Sequence, residues 1–255
     1  MRNIDPTNRS ERGGVQAIAR AAAVLRALER APEGASLSRL ATATELPKST
    51  THRIVTALAA EQLVVHERGG PVRLGAAAAR LGAASHEALG ERLRPVLLGL
   101  RRQLDETVDL AVLDGALVRF VDQVPAPRRL RATSSVGELF PLHCTANGKA
   151  LLAALPEVRA LELLPARLPR LTSHTVTSRE QLLAELATVR EQGIAFDREE
   201  HTEGICAVGA VVSAGEDPAA AAISVPVPSQ RFGAEADGIV AATRDAAAAA
   251  SELLS

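Results

Sequence analysis

The chain of 255 residues has no Tyr and no Trp, and its only aromatic residues are four Phe. Stacking platforms for single-stranded nucleic acid and cages for quaternary ammonium groups are built from such rings, so their scarcity argues against both. Cysteine is scarce as well. Two residues, Cys144 and Cys206, do not make a disulfide scaffold and read as free thiols of a reducing compartment. Neither sign of charge dominates: 29 Lys/Arg stand against 30 Asp/Glu, a formal net charge of −1. That argues against a uniformly basic surface and leaves room for a local basic patch. Long apolar runs are missing too. The opening MRNIDPTNRSERGG lacks the apolar stretch of a secretory signal. Gly204 to Gly215 and Pro218 to Gln230, the longest uncharged stretches, are too short or too broken by Pro to cross a membrane. The expectation is a soluble, cytoplasmic chain with no membrane partner.

What is present suits a globular protein of one large domain or two ordinary ones: 47% hydrophobic and 23% charged residues. Residues 1–13 read as a flexible tail. From Val15 the apolar residues Val15, Ile18, Ala22, Leu25 and Leu28 mark one face of a helix that stops at Ala31-Pro32-Glu33-Gly34. Ser36 can cap a short second helix to about Thr44, and Pro47 suits the first position of a third helix running to about Gln62. Thr51, Ile54, Val55 and Leu58 form the inner face of that third helix. Leu63 to His66 and Val72 to Leu74 read as strands joined through Gly69-Gly70. Three short helices and a hairpin over residues 14–75 outline a winged helix-turn-helix domain.

Ala76–Ala88 and Gly90–Glu106 read as a pair of helices, with residues 76–90 as a linker helix. Beyond Thr107 the pattern changes to strands at Val108–Leu113, Leu117–Val124 and Leu130–Ser134. Helices follow at Thr145–Leu155, Glu157–Leu164 and Ser178–Gln192, the last stopped by Gly193. Strands return at Ile194–Phe196, Ile205–Ser213 and Ala220–Val227, before a final helix from about Ala234 to Leu254. Residues 91–255 therefore read as an α+β domain on an antiparallel sheet. Charge supports the division. Residues 1–90 hold 12 Lys/Arg and 8 Asp/Glu, and the remainder 17 and 22, as suits a DNA-binding module joined to a sensing module.

Several runs carry a family resemblance. Val15-Gln16-Ala17-Ile18-Ala19-Arg20-Ala21, Leu46-Pro47-Lys48-Ser49-Thr50-Thr51-His52-Arg53 and Val72-Arg73-Leu74-Gly75 resemble the DNA-binding domain of IclR-family bacterial transcription regulators. Pro141 to Leu152, Asp197 to Cys206 and Ala221-Ala222-Ile223-Ser224-Val225 resemble the family's effector domain. The match spans nearly the whole chain in order. It implies an N-terminal winged helix-turn-helix, a C-terminal GAF-like effector domain, assembly into dimers or pairs of dimers, and binding to palindromic operators. The expected function is a regulator, with repression the expected mode, whose partners are double-stranded operator DNA, a small-molecule effector that is an organic acid, and a second copy of itself.

The outer face of the third helix presents Lys48, Ser49, Thr50, His52, Arg53 and Thr56, donors suited to base edges and phosphates. The expected assignment places Ser49, Thr50 and Arg53 in the major groove and Lys48 on a phosphate, with His52 nearby. Arg68 and Arg73, at or beside the wing tip, are candidates for phosphate or minor-groove contacts. In the second half, backbone N–H groups of Ala146, Asn147 and Gly148 lie near a helix N-terminus that can receive a carboxylate. The resemblance carries Asp197, Cys206 and Ser224 onto the effector pocket, and Phe140 and Phe196 flank its motifs. Many family members have a second serine two residues beyond the position of Ser224, where this chain has Pro226. That loss disfavours a glyoxylate-like or pyruvate-like effector and favours a larger or less polar acid.

Rival readings are an oligomeric small-molecule-binding protein without DNA contact, and a Cys/His-dependent enzyme using His143, Cys144, His174, His201 or Cys206. The spacing of those residues is weak for zinc, and no nucleophile elbow, phosphate loop or dinucleotide fingerprint is present. Neither a cofactor nor a metal is expected.

Overall fold

A computed structural model of the chain describes residues 6–255 apart from Pro32, Arg68 and Thr133, with side chains described from Val15 onward. Two compact units meet at Ser85 and His86, inside the segment read as a linker helix. The first unit contains α1 (Pro6–Glu29), α2 (Leu37–Ala43), α3 (Lys48–Ala60) and a two-stranded antiparallel hairpin, β1 (Val64–His66) and β2 (Val72–Leu74). α1 already runs from Pro6, so residues 6–13 are helical where the sequence suggested part of a tail. Ser36 Oγ caps α2 by accepting the N–H of Arg39. Val24, Leu28, Leu40, Val55, Leu58, Val64 and Val72 close a small core among these elements.

α4 (Ala76–Leu104) is one continuous helix rather than the expected pair. Gly90 was read as the start of the second of them. It is instead a buried position inside α4, where an added Cβ would make ordinary contact with Asp122 at 3.5 Å. Pro95 is tolerated because its ring is exposed and the carbonyl it leaves unpaired lies on the solvated side.

The second unit is built on a six-stranded antiparallel sheet in the order β5-β4-β3-β8-β7-β6. Its strands are β3 (Val108–Asp114), β4 (Leu117–Val124), β5 (Leu139–Pro141), β6 (Ala195–Arg198), β7 (Ile205–Ala214) and β8 (Asp217–Pro228). The expected strand at Leu130–Ser134 does not form. That backbone serves side chains instead: Thr107 Oγ1 donates to the Ala132 carbonyl at 2.9 Å, and Arg231 reaches the Leu130 carbonyl at 3.3 Å. The missing neighbour of β4 is supplied by β5, which the sequence did not suggest. It is short and ends in a proline, as an edge strand can.

Alternation along the strands sorts the two faces. Val108, Leu110, Ile223, Val225 and Val227 pack with Leu93, Leu97 and Leu100 of α4 and with α8 (Ser229–Leu254). Ala111, Phe120 and Ala222 pack under α5 (Ala146–Ala154), α6 (Glu157–Leu163) and α7 (Arg179–Gln192). Ser178 caps α7 and Gly193, at φ 72°, ends it. The second face carries a cavity.

Candidate DNA-reading face and effector cavity

In the first unit, burial of Thr51, Val55 and Leu58 fixes the roll of α3 and so decides what faces outward. Lys48, Ser49, His52 and Arg53 are exposed, and Thr50 is half-buried on the flank toward α1. There Thr50 and Arg53 line an open groove together with Arg20 of α1. Pro47 precedes α3 and no side chain caps it, which leaves the first N–H groups of the helix open to an anion. Arg73 on β2 is exposed, with its Nε donating to the Glu33 carbonyl at 3.2 Å. Arg68 lies outside the described residues. Thr56 turns its hydroxyl back onto the His52 carbonyl of its own helix.

In the second unit, a cavity of about 270 Å³ lies between the sheet and the start of α5. Its floor follows from strand register. Asp109 on β3 stands opposite Ser224 on β8, and Ser224 opposite Gly209 on β7. Two residues along, Pro226 stands opposite Ala207, and Ala207 opposite Asp197 on β6. Gly209 is required by packing: a Cβ there would come within 2.8 Å of the Ala146 backbone. The absent side chain thus lets the N-terminus of α5 lie directly on the sheet. Phe120, Phe140 and His201 form a wall of rings, with Phe140 stacked on His201 at 4.1 Å between centroids and edge-on to Phe120 at 4.9 Å. Arg131 and Thr202 stand at the exposed rim.

Of the residues singled out from sequence, Phe140, Ala146, Asn147, Asp197 and Ser224 line this cavity, and Pro226 is part of its floor. Gly148, Phe196 and Cys206 do not. Phe196 precedes Asp197 and Cys206 precedes Ala207 on their strands, so alternation sends both to the opposite face. Phe196 packs there edge-on to Phe232 at 6.4 Å. Cys206 stands opposite Val227, a residue of the α4–α8 core. The N–H of Gly148 is already taken by Thr145 Oγ1 at 3.2 Å. A Cβ at Gly148 would fall 2.3 Å from the Leu142 carbonyl oxygen, so this glycine serves packing. The N–H groups of Ala146 and Asn147 remain at the helix start.

Asn147 is the unusual member. It is 2% exposed, and neither its Oδ1 nor its Nδ2 has a hydrogen-bond partner among the described residues. Leaving such a group unpaired costs about 1–3 kcal/mol. Asp197 accepts the N–H of Glu200 at 2.7 Å and of His201 at 3.4 Å. Burial nevertheless pushes its carboxyl up to about 7, against the pull of those donors. Burial also lowers the imidazole of His201 from its ordinary value.

Two features escaped the sequence reading. Asp109, an acid inside the apolar run of β3, lines the cavity. Its Oδ1 accepts from Gln123 Nε2 at 2.7 Å, and burial lifts its carboxyl to about 6. An acid in the middle of an apolar strand was the available signal. The other feature is Lys149, fully buried inside α5 and bound by Glu185 and Glu200, each at 2.6 Å. Thr175 Oγ1 in turn holds the Glu200 carbonyl at 2.6 Å. This network fixes the turn that presents Asp197.

The thiol chemistry of a Cys/His enzyme finds no support in the geometry. Burial pushes Cys144 up to about 12, which makes it a protonated, inert thiol at neutral pH. Nε2 of His143 is engaged with the Pro169 carbonyl at 2.9 Å. Among the described residues no group of three or more His, Cys, Asp or Glu is placed to hold a metal ion. No described helix is long and apolar enough to cross a membrane.

Comparison with known proteins adds two family matches. The model of the bacterial transcriptional regulator IclR C-terminal domain matches residues 82–252, and that of the IclR helix-turn-helix domain matches residues 17–68. The chain is 51% identical over 228 residues to the HTH-type transcriptional regulator Rv1719 of Mycobacterium tuberculosis, covering 88% of this chain and 87% of that protein. It is 32% identical to the transcriptional repressor IclR of Escherichia coli, covering 86% and 82%. Among solved structures, an IclR homolog from Microbacterium hydrocarbonoxydans complexed with 4-hydroxybenzoate is similar, with a TM-score of 0.61 and 26% identity over 93% of this chain and 98% of that one. The Mycobacterium tuberculosis and Escherichia coli relatives are transcriptional regulators.

Proposed function

The chain belongs to the IclR family of bacterial transcriptional regulators, and we propose that it is an effector-controlled repressor, working as a dimer or pair of dimers on a palindromic operator. Repression is supported by relatives that carry that name, the Escherichia coli repressor among them. Ser49, Thr50 and Arg53 read base edges from the major groove, Lys48 holds a phosphate at the start of α3, His52 stands beside them, and Arg73, with Arg68, secures the wing. Self-association is supported by the apolar surface of α1, where Val15 and Ile18 are 70% and 72% exposed.

The effector occupies the cavity over β3, β8, β7 and β6, and it is a small organic acid. The observation that carries this reading is Asn147, whose buried amide has no hydrogen-bond partner among the described residues and lines the cavity beside the N–H groups of Ala146 and Asn147 at the start of α5. Together these groups offer an acid oxygen both donors and the positive end of a helix. Pro226 leaves the floor beside Ser224 without a second hydroxyl, which supports an acid larger or less polar than pyruvate. The test is thermal unfolding of the full chain against pyruvate, glyoxylate and benzoate at millimolar concentration, because a bound effector stabilises the folded state by mass action. A rise with benzoate exceeding that with pyruvate is expected. Stabilisation by none of the acids would remove the acid reading, and equal stabilisation by pyruvate and benzoate would remove the argument from Pro226.

A further inference from the structure

We infer that the effector is a flat acid whose far end bears a hydrogen-bond donor, a hydroxyl or amino group, received by Asp109. This rests on the reading that an organic acid binds at the start of α5, and it adds the chemistry of the opposite end.

Register sets the distance. Asp109 and Gly209 are separated across the sheet by Ser224 alone, two strand spacings or about 10 Å, and the start of α5 rests on Gly209. A six-membered ring with its groups at opposite ends suits that separation better than a two-carbon or three-carbon acid held at α5. The walls agree with a ring. The stacked pair of Phe140 and His201 with the edge-on Phe120 gives the cavity a flat aromatic side, and Ser224 lies between the two ends, with Pro226 and Ala207 two residues along the floor. Two of the four Phe in the chain are used here.

Asp109 itself calls for a donor. It is 2% exposed, lines the cavity, and forms no ion pair with Lys, Arg or His among the described residues. Gln123 Nε2 supplies one donor to it and is shared with Ser134 Oγ at 2.6 Å. A buried carboxylate with no cation beside it is costly even with Gln123 and Ser134 close by, and a ligand O–H or N–H relieves that cost with a charge-assisted hydrogen bond. Although burial raises its carboxyl to about 6, Asp109 is mainly an anion at pH 7.5, so a second acid group at this end would be repelled.

The experiment is isothermal titration calorimetry of the full chain at pH 7.5 with benzoate, 4-methylbenzoate, 4-hydroxybenzoate and 4-cresol, repeated on Asp109→Asn and Asp109→Ala. The hydroxy acid should bind about ten-fold or more tighter than the two acids lacking a donor. In Asp109→Ala the three acids should converge within about three-fold, with Asp109→Asn intermediate. Retained binding of benzoate shows that a variant is folded. Equal affinities for benzoate and 4-hydroxybenzoate, or a preference that survives in both Asp109 variants, would overturn the inference while leaving the acid reading intact. Binding of 4-cresol with no binding of benzoate would support the donor end and overturn the acid reading. Failure of all four compounds to bind would overturn both.

Discussion

On α3, the side chains of Lys48, Ser49, His52 and Arg53 stand in solvent. In the cavity of the second unit, Asn147, Asp109, Asp197 and Ser224 are all less than a tenth exposed, and two of them have carboxyls shifted far from the ordinary range. Both regions use polar side chains, basic on α3 and acidic in the cavity, for opposite physical purposes. A surface that reads a duplex keeps its donors hydrated and cheap to expose, and gains affinity from many phosphate and base contacts. A cavity that selects one small molecule concentrates desolvated groups whose unmet hydrogen bonds the ligand completes. Substitutions on α3 should therefore change DNA affinity at nearly constant stability, whereas substitutions around the cavity should change stability and ligand response together.

The largest test of that contrast is Lys149→Met, which leaves Glu185 and Glu200 facing each other without their shared cation. Breaking a buried charge pair in this way costs about 3–5 kcal/mol, which chemical denaturation should show as a lowered midpoint. Arg53→Ala should weaken binding to the cognate DNA by about 1–3 kcal/mol and leave the unfolding transition in place. A comparable loss of fold stability in that variant would erase the distinction between the two regions. Asn147→Leu replaces an unpaired buried amide with an apolar group of similar size. It should stabilise the ligand-free protein by about 1–3 kcal/mol while abolishing stabilisation by the effector.

Asp197→Asn gives an effect that depends on pH. The carboxyl of Asp197 rises from 3.8 to about 7 on folding, so between those values the folded chain holds a proton that the unfolded chain has released. Its contribution to stability is complete below pH 3.8 and is lost as pH rises through 7. The asparagine variant, which can still accept the N–H of Glu200, should therefore gain more in melting temperature over the wild type at pH 8 than at pH 5. By the same logic, an acid bound beside Asp197 should bind tighter at pH 6 than at pH 8.

How far the sequence revealed these regions follows from their physics. The outward face of α3 was legible because burial of Thr51, Val55 and Leu58 at helical spacing leaves only one face for Lys48, Ser49 and Arg53. Ser36, Ser178 and Gly193 announced helix ends through local chemistry alone. The cavity was legible only in part, because its residues come from many separate segments. Phe196 and Cys206 stand next to cavity residues in sequence and face away from them in space, since a strand turns its neighbours to opposite sides. Asp109 and Lys149 were overlooked for a related reason: a lone charge in an apolar strand or helix takes its meaning from partners far along the chain, Gln123 for one and Glu185 and Glu200 for the other. Gly90 misled in the opposite direction: read as a helix start, it lies buried inside one continuous helix.

The two regions are joined if filling the cavity changes the grip of the chain on DNA. The direct measurement is fluorescence anisotropy of the full chain on duplex fragments it selects from its own genome, with and without the acid that most raises its melting temperature, in the wild type and in Asn147→Leu. The predicted result is a several-fold shift in half-saturation for the wild type and none for Asn147→Leu, with both proteins binding DNA equally in the absence of the acid. An acid that binds and stabilises the wild type yet leaves its DNA affinity unchanged would contradict the claim, as would an equal shift in the variant.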